Sequence, residues 1–170
     1  MNVKLRIRKR VKIKIMMNFD APQQSEIKLF TIGFAKKNAR QFFNILKNEG
    51  IVRVVDIRLS NASQFAGYTK KDDLEYFLNE IAHIKYDYRP EMAPTKELLF
   101  SYKKKKINWK EYVEKFSMIM VERKIENIFK QSELNNICLL CSEPSAEYCH
   151  RRLVAEYLQA KLGHIEIRNL

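Results

Sequence analysis

Ile51-Val52-Arg53-Val54-Val55-Asp56-Ile57 is the stretch on which the fold is read. It is β-branched and nearly all apolar, as expected for a strand buried on both faces, and such strands belong to parallel sheets covered by helices. Outward from it, strands and helices alternate. On the N-terminal side, residues 28–32 form a strand ending at Gly33, and Phe42, Phe43 and Leu46 mark a helix that starts near Asn38 and closes at Gly50. On the C-terminal side, Leu74, Phe77, Leu78 and Ile81 follow the i, i+3, i+4, i+7 spacing of an amphipathic helix. Residues 84–88 form a third strand stopped by Pro90. Trp109, Tyr112, Val113, Phe116 and Met120 share one face of a longer helix, whose phase shifts near Arg123. Residues 137–140 form a fourth strand. Leu153, Val154, Tyr157, Leu158 and Leu162 define a last helix ended by Gly163, and residues 164–167 form a final short strand. The pattern predicts a single three-layer α/β domain over residues 25–170, Rossmann-like, with a mostly parallel sheet.

Residues 1–24 are read as a separate basic extension. Of the net charge of +12, residues 1–19 carry seven Lys/Arg and no acid, which leaves +5 on the remainder. Val3, Leu5 and Ile7, then Val11, Ile13 and Ile15, alternate with basic residues, a period of two that suits a β-ribbon or a disordered arm with one basic face. Such a tail fits an anionic partner, nucleic acid above all, and it equally fits a solvated extension. The run Lys103 to Lys106 carries the same two readings and is expected to be an exposed turn. No apolar stretch reaches the length of a membrane span, and residues 1–19 lack the apolar core of a secretory signal, so the expected location is the cytoplasm. Three cysteines, two of them three residues apart, argue against a disulfide framework.

Two polar clusters fall at predicted strand exits, where open α/β sheets place their ligands. The first is Asp56 and Arg58, two apart and therefore on one side of the strand, leading into Ser63 and Gln64. It reads either as a ligand site or as a structural ion pair. The second runs from Cys141 to Arg152. Cys138 and Cys141 should point to opposite faces, which makes Cys138 a small core residue, whereas Cys141 and Glu143 should share a face. Cys149 and His150 fall at the start of the next helix, where free N–H groups and the helix dipole favour anions and thiolates. Arg151 and Arg152 add anion donors there. The cluster supports phosphate or nucleotide binding, a metal site built from Cys141, Cys149 and His150 with Glu143 although the spacing matches no standard pattern, or local packing.

The residues of these clusters belong to a set of ordered motifs. They are Thr31-Ile32-Gly33, Val55-Asp56-Ile57-Arg58-Leu59, Ser63-Gln64-Phe65-Ala66-Gly67-Tyr68 followed by Lys70-Lys71-Asp72-Asp73-Leu74, and Ala93-Pro94-Thr95-Lys96-Glu97-Leu98. Leu139-Leu140-Cys141-Ser142-Glu143 and Cys149-His150-Arg151-Arg152-Leu153-Val154-Ala155-Glu156-Tyr157-Leu158 complete the set. With them the chain resembles the domain-of-unknown-function 488 family over roughly residues 28–168. The resemblance implies a compact α/β domain whose shared polar residues line one pocket, and it implies no settled reaction. Ala35 departs from the hydroxyl residue that many members carry, and the extension lies outside the resemblance. Val54-Val55-Asp56-Ile57-Arg58 is also similar to rhodanese-like domains. The loop from Cys141 to Arg151 has no glycine for the tight active-site turn of those domains, which makes sulfurtransfer a distant alternative.

The expected function is binding, and acting on, a phosphate-bearing ligand such as a nucleotide or nucleic-acid end. Arg58, Arg151 and Arg152, with Ser63 and Gln64, hold the anion. Asp56 or Glu143 is the general base, His150 the acid/base partner, and Cys141 or Cys149 the nucleophile. No cofactor is assigned. The alternative is a non-enzymatic nucleic-acid-binding or ligand-sensing domain.

Overall fold

The computed structural model describes residues 27–62 and 67–170, so the basic extension, Ser63 and Gln64 lie outside the described residues. Five strands, β1 (Ile27–Gly33), β2 (Arg53–Asp56), β3 (Lys85–Tyr88), β4 (Ile137–Cys141) and β5 (Ile165–Asn169), form one sheet in the order β3-β2-β4-β1-β5. Every neighbouring pair is parallel. The helices are α1 (Ala39–Asn48), α2 (Lys71–Phe77), α3 (Lys96–Lys103), α4 (Trp109–Glu122) and α5 (His150–Leu162). Among the described residues no helix is long and apolar enough to cross a membrane.

Strand alternation sorts the core into two layers. Leu29, Val55, Ile137 and Leu139 face a cluster shared with α3, α4 and α5, while Phe30, Val54, Cys138 and Leu140 face one shared with α1 and α2. β4 is flanked by β1 and β2, whose chains leave toward α1 and α2. β4 alone of these three leads to α5, on the opposite face. That divergence opens a crevice at the exit of β4, which is where ligands enter sheets of this kind.

Local chemistry explains most boundaries. Asn38 and Asn108 cap α1 and α4 as reciprocal capping boxes with Gln41 and Glu111. Lys124, at φ +50°, ends the run after α4, where the apolar phase shifts. Three expectations need correction. β2 is shorter than the apolar run around it, with Val52 already 52 % exposed. α2 widens into a π turn over Leu78–Ala82, which rotates Ile81 out of the expected apolar face and leaves it 48 % exposed. α3, capped by Thr95, was not expected, because its only buried residue is Leu98 and an apolar period is hard to see around it. Lys103 closes that helix, and the turn begins at Lys104.

β1 ends where the loop after β4 crosses it. A methyl group on Gly33 would sit 1.6 Å from the Glu143 carbonyl oxygen and 2.7 Å from Arg151 Nη1. Gly33→Ala is therefore expected to cost about 3 kcal/mol or more, a fall of roughly 6–12 °C in melting temperature for a chain of this size. An unchanged melt would mean that the loop does not pass this close.

Candidate functional site

The exits of β1, β2 and β4 and the start of α5 enclose a cleft of about 620 Å³. Arg58, Cys141, Glu143, Cys149 and His150 all line it, together with aromatic walls from Phe34, Tyr102, Tyr112 and Tyr148.

Its floor is a thiol–imidazole cluster. Cys141 ends β4 on the face toward α5, and Cys149 is the N-cap of α5 in extended conformation, so its side chain turns back toward the strand. His150 opens α5 and is 8 % exposed. Its Nε2 lies 2.9 Å from the Ile57 carbonyl oxygen. A carbonyl can only accept, so Nε2 carries the proton and the Nδ1 lone pair of the neutral ring points the other way, 3.5 Å from Cys141 Sγ. One sulfur, one base and a third group that orients the base are thus in line. The Cys149 thiol donates to Cys141 and holds the Cys141 thiol below the usual cysteine range. Burial opposes this, and the Ser142 and Glu143 amides and the charge of Arg151 assist it. The Cys149 thiol moves up in turn, first because it donates to Cys141 and then because it is buried. The first proton to leave the pair therefore leaves Cys141. Cys138 lies on the opposite face, fully buried with its thiol pushed up by desolvation, and acts as core.

The Asp56–Arg58 pair forms the adjoining wall. Asp56 is fully buried and accepts Arg58 Nε at 2.7 Å and Nη2 at 2.6 Å, plus the Tyr86 hydroxyl at 2.7 Å. Both Asp56 oxygens are engaged and Asp56 does not line the cleft, whereas Glu143 is exposed on its wall. Arg58 also donates Nη2 to the Thr69 carbonyl at 2.9 Å, and its guanidinium lies 5.3 Å from the centre of the Phe34 ring. Desolvation alone would weaken its protonation, but the hydrogen bond and charge of Asp56 outweigh it and raise the Arg58 pKa. Arg58 is 2 % exposed, and its Nη1 has no hydrogen-bond partner among the described residues. A buried N–H without a partner is costly unless a ligand completes it.

Arg151 differs from its expected role. It is 1 % exposed and is not on the cleft wall. Nη1 donates to the Glu143 carbonyl and, at 3.6 Å, to Cys149 Sγ. Nη2 reaches the Pro144 carbonyl at 3.4 Å, and Nε reaches Thr31 Oγ1 at 3.3 Å. Arg151 is thus a clamp on the 142–149 loop, directed inward because those carbonyls need a donor. Arg152 is also off the cleft wall: it pairs with Glu156 at 3.6 Å and lies 5.9 Å from the centre of the Trp109 ring. Sequence reasoning missed Thr31, the Ile57 carbonyl, Tyr86 and the tyrosine walls. Only Thr31 had a signal, as a hydroxyl in an apolar strand.

A family model described as "Domain of unknown function DUF488" matches residues 38–158. The chain belongs to that family, and the matched segment takes in both clusters while β1 and β5 lie outside it. No curated protein and no solved structure gives a match.

The three arginines should separate by stability. Arg58→Met strands the Asp56 carboxylate and should cost roughly 3–5 kcal/mol, with much of this recovered in Asp56→Asn/Arg58→Met. Arg151→Met removes the donors of the Glu143 and Pro144 carbonyls, part-buried groups, and should cost about 1–3 kcal/mol. Arg152→Met should change stability by no more than about 0.5 kcal/mol. Denaturant melts measure all of these, and equal losses for Arg151 and Arg152 would contradict the clamp. In chelator-treated protein, one thiol should react with iodoacetamide at a rate that rises through a midpoint below about 8.5, the value of a free cysteine. The thiolate is the attacking form, so a lowered pKa moves the curve to lower pH. Peptide mapping should place the label on Cys141; a midpoint at or above the free-cysteine value contradicts the assignment.

Proposed function

We propose that the protein binds a small phosphate-bearing ligand, a nucleotide or a nucleic-acid end, in this cleft and acts on it. The observation that carries the reading is Arg58, a residue of the cleft wall whose buried Nη1 has no hydrogen-bond partner among the described residues. A guanidinium already anchored by Asp56 is held rigidly, and one remaining donor suits an oxyanion, which a guanidinium recognises better than a neutral group. Lys103 lines the same cleft and adds positive charge. Tyr102 and Tyr148 supply aromatic surface against which a nucleobase can pack, backed by the buried Tyr112. Tyr148, 57 % exposed, is free to adapt to it.

The reacting centre is Cys141, Cys149 and His150 at the floor, with Glu143 available for proton transfer. Their convergence favours an enzyme over a domain that only tracks phosphates, since phosphate contacts alone need no buried thiols or oriented imidazole. Unpaired thiols at a reacting centre suit a reducing compartment, and the protein is assigned to the cytoplasm on that basis. The basic extension would add non-specific attraction to a nucleic-acid substrate.

Inorganic phosphate and nucleoside 5′-monophosphates should each raise the melting temperature of the full chain. At a hundredfold excess over the dissociation constant the stabilisation is about 2.7 kcal/mol, or roughly 5–11 °C. Lys103→Ala and Tyr148→Ala should leave the ligand-free melt unchanged and weaken nucleotide binding severalfold in calorimetry. The absence of any saturable response to phosphate or nucleotide at millimolar concentration would overturn the reading.

A further inference from the structure

We propose that Cys141, Cys149 and His150 form a three-ligand site for one divalent transition-metal ion, zinc by the character of its donors, with a fourth position open to the cleft beside Arg58. The two sulfurs and a ring nitrogen of His150 lie within 4.8 Å of one another, all on buried residues. Tetrahedral zinc, with bonds of about 2.3 Å to sulfur and 2.0–2.1 Å to nitrogen, places a sulfur and a nitrogen roughly 3.6 Å apart and two sulfurs roughly 3.8 Å apart. Cys141 Sγ and His150 Nδ1 already stand at 3.5 Å. Only the remaining distances need to close, by the small side-chain rotations that a bound ion induces.

Donor character points the same way. Two thiolates and a neutral imidazole suit a borderline-soft ion and balance its two charges. His150 is fixed in the tautomer that presents Nδ1, because Nε2 donates to the Ile57 carbonyl, the outer contact that metal-bound histidines characteristically make. Arg151 Nη1 donates to Cys149 Sγ at 3.6 Å. Two of the three ligands therefore have a second contact of their own. A packed pair of cysteines needs none of these.

All three ligands line the cleft, so the fourth position projects into it, toward the wall that holds Arg58 and Glu143. Three protein ligands plus water is the arrangement of catalytic rather than structural zinc, and such water ionises near neutral pH. This deepens the ligand reading above, on which the role of the open position rests: Cys141 and His150 act by holding the ion, and its water becomes the reactive group next to an anion bound at Arg58.

The test uses the full chain, expressed in zinc-supplemented medium and purified with a non-chelating reductant. Elemental analysis should give close to one zinc per chain. Protein stripped with chelator and titrated with Co²⁺ should show the intense visible bands of tetrahedral cobalt and a thiolate-to-cobalt charge-transfer band. Cys141→Ser and Cys149→Ser should each weaken Co²⁺ binding by at least about tenfold, since loss of an outer contact alone costs that much. Cys138→Ser, on the opposite face of the sheet, should keep both spectrum and affinity. Wild-type protein without the charge-transfer band overturns the proposal whatever the variants do, and so does a band that survives in both Cys141→Ser and Cys149→Ser. Zinc binding without a phosphate response supports the metal site and removes the ligand reading. A phosphate response in protein that binds neither zinc nor cobalt does the reverse.

Discussion

The inward-facing guanidinium of Arg151 is the constraint on which the rest of the site depends. It ties the carbonyls of Glu143 and Pro144, the hydroxyl of Thr31 and the sulfur of Cys149 to one buried point. A buried arginine with no carboxylate against it among the described residues must be satisfied by carbonyls and hydroxyls, and here those acceptors belong to the loop leaving β4 and to Thr31 of β1. The loop is thereby folded onto the end of β1, which is why that strand ends in a residue with no side chain. Because the loop returns to its starting point, the N-cap of α5 lies beside the last residue of β4. Cys149 and His150 meet Cys141 as a consequence.

Two buried arginines serve opposite ends. Arg151 has its donors directed at the fold, whereas Arg58, a residue of the cleft wall, is fixed by Asp56 and Thr69 and has one nitrogen without a partner among the described residues. A charge held in place by a buried carboxylate is already desolvated and oriented, so the proposed anion would meet it without reorganisation. The Tyr86 hydroxyl also donates to Asp56, so the carboxylate is engaged by both Arg58 and Tyr86. Arg151 touches the thiol cluster through Cys149, while Arg58 lines the same cleft and is the group proposed to meet a ligand.

Much of this was legible in the sequence because it depends on period and parity. The apolar run at Val54 and Val55 announced a central parallel strand, and the three-residue separation of Cys138 and Cys141 put them on opposite faces. The helix start at Cys149 and His150 followed from the apolar period of α5. What escaped was set by contacts between distant segments. Arg151 and Arg152 are adjacent and chemically alike, and only the path of the loop decides that one points inward and the other lies over Trp109. His150 is oriented by a carbonyl 93 residues away in sequence, which no local pattern encodes. Asp56 read as a general base because its saturation by Arg58 and Tyr86 depends on β2 and β3 being neighbours. Ile81 fitted a helical face that the π turn of α2 does not continue.

The central claim is that a metal-binding thiol–imidazole centre and an anion site share one cleft. X-ray absorption at the zinc edge, recorded on the purified full chain with and without saturating inorganic phosphate, tests both halves in one sample. The expected first shell is two sulfurs at about 2.3 Å and two nitrogen or oxygen neighbours at about 2.0 Å. Added phosphate should leave the sulfurs in place and replace the water contribution with a more distant phosphorus shell. A first shell without sulfur would contradict the metal centre, and a spectrum indifferent to phosphate would contradict an anion site beside it.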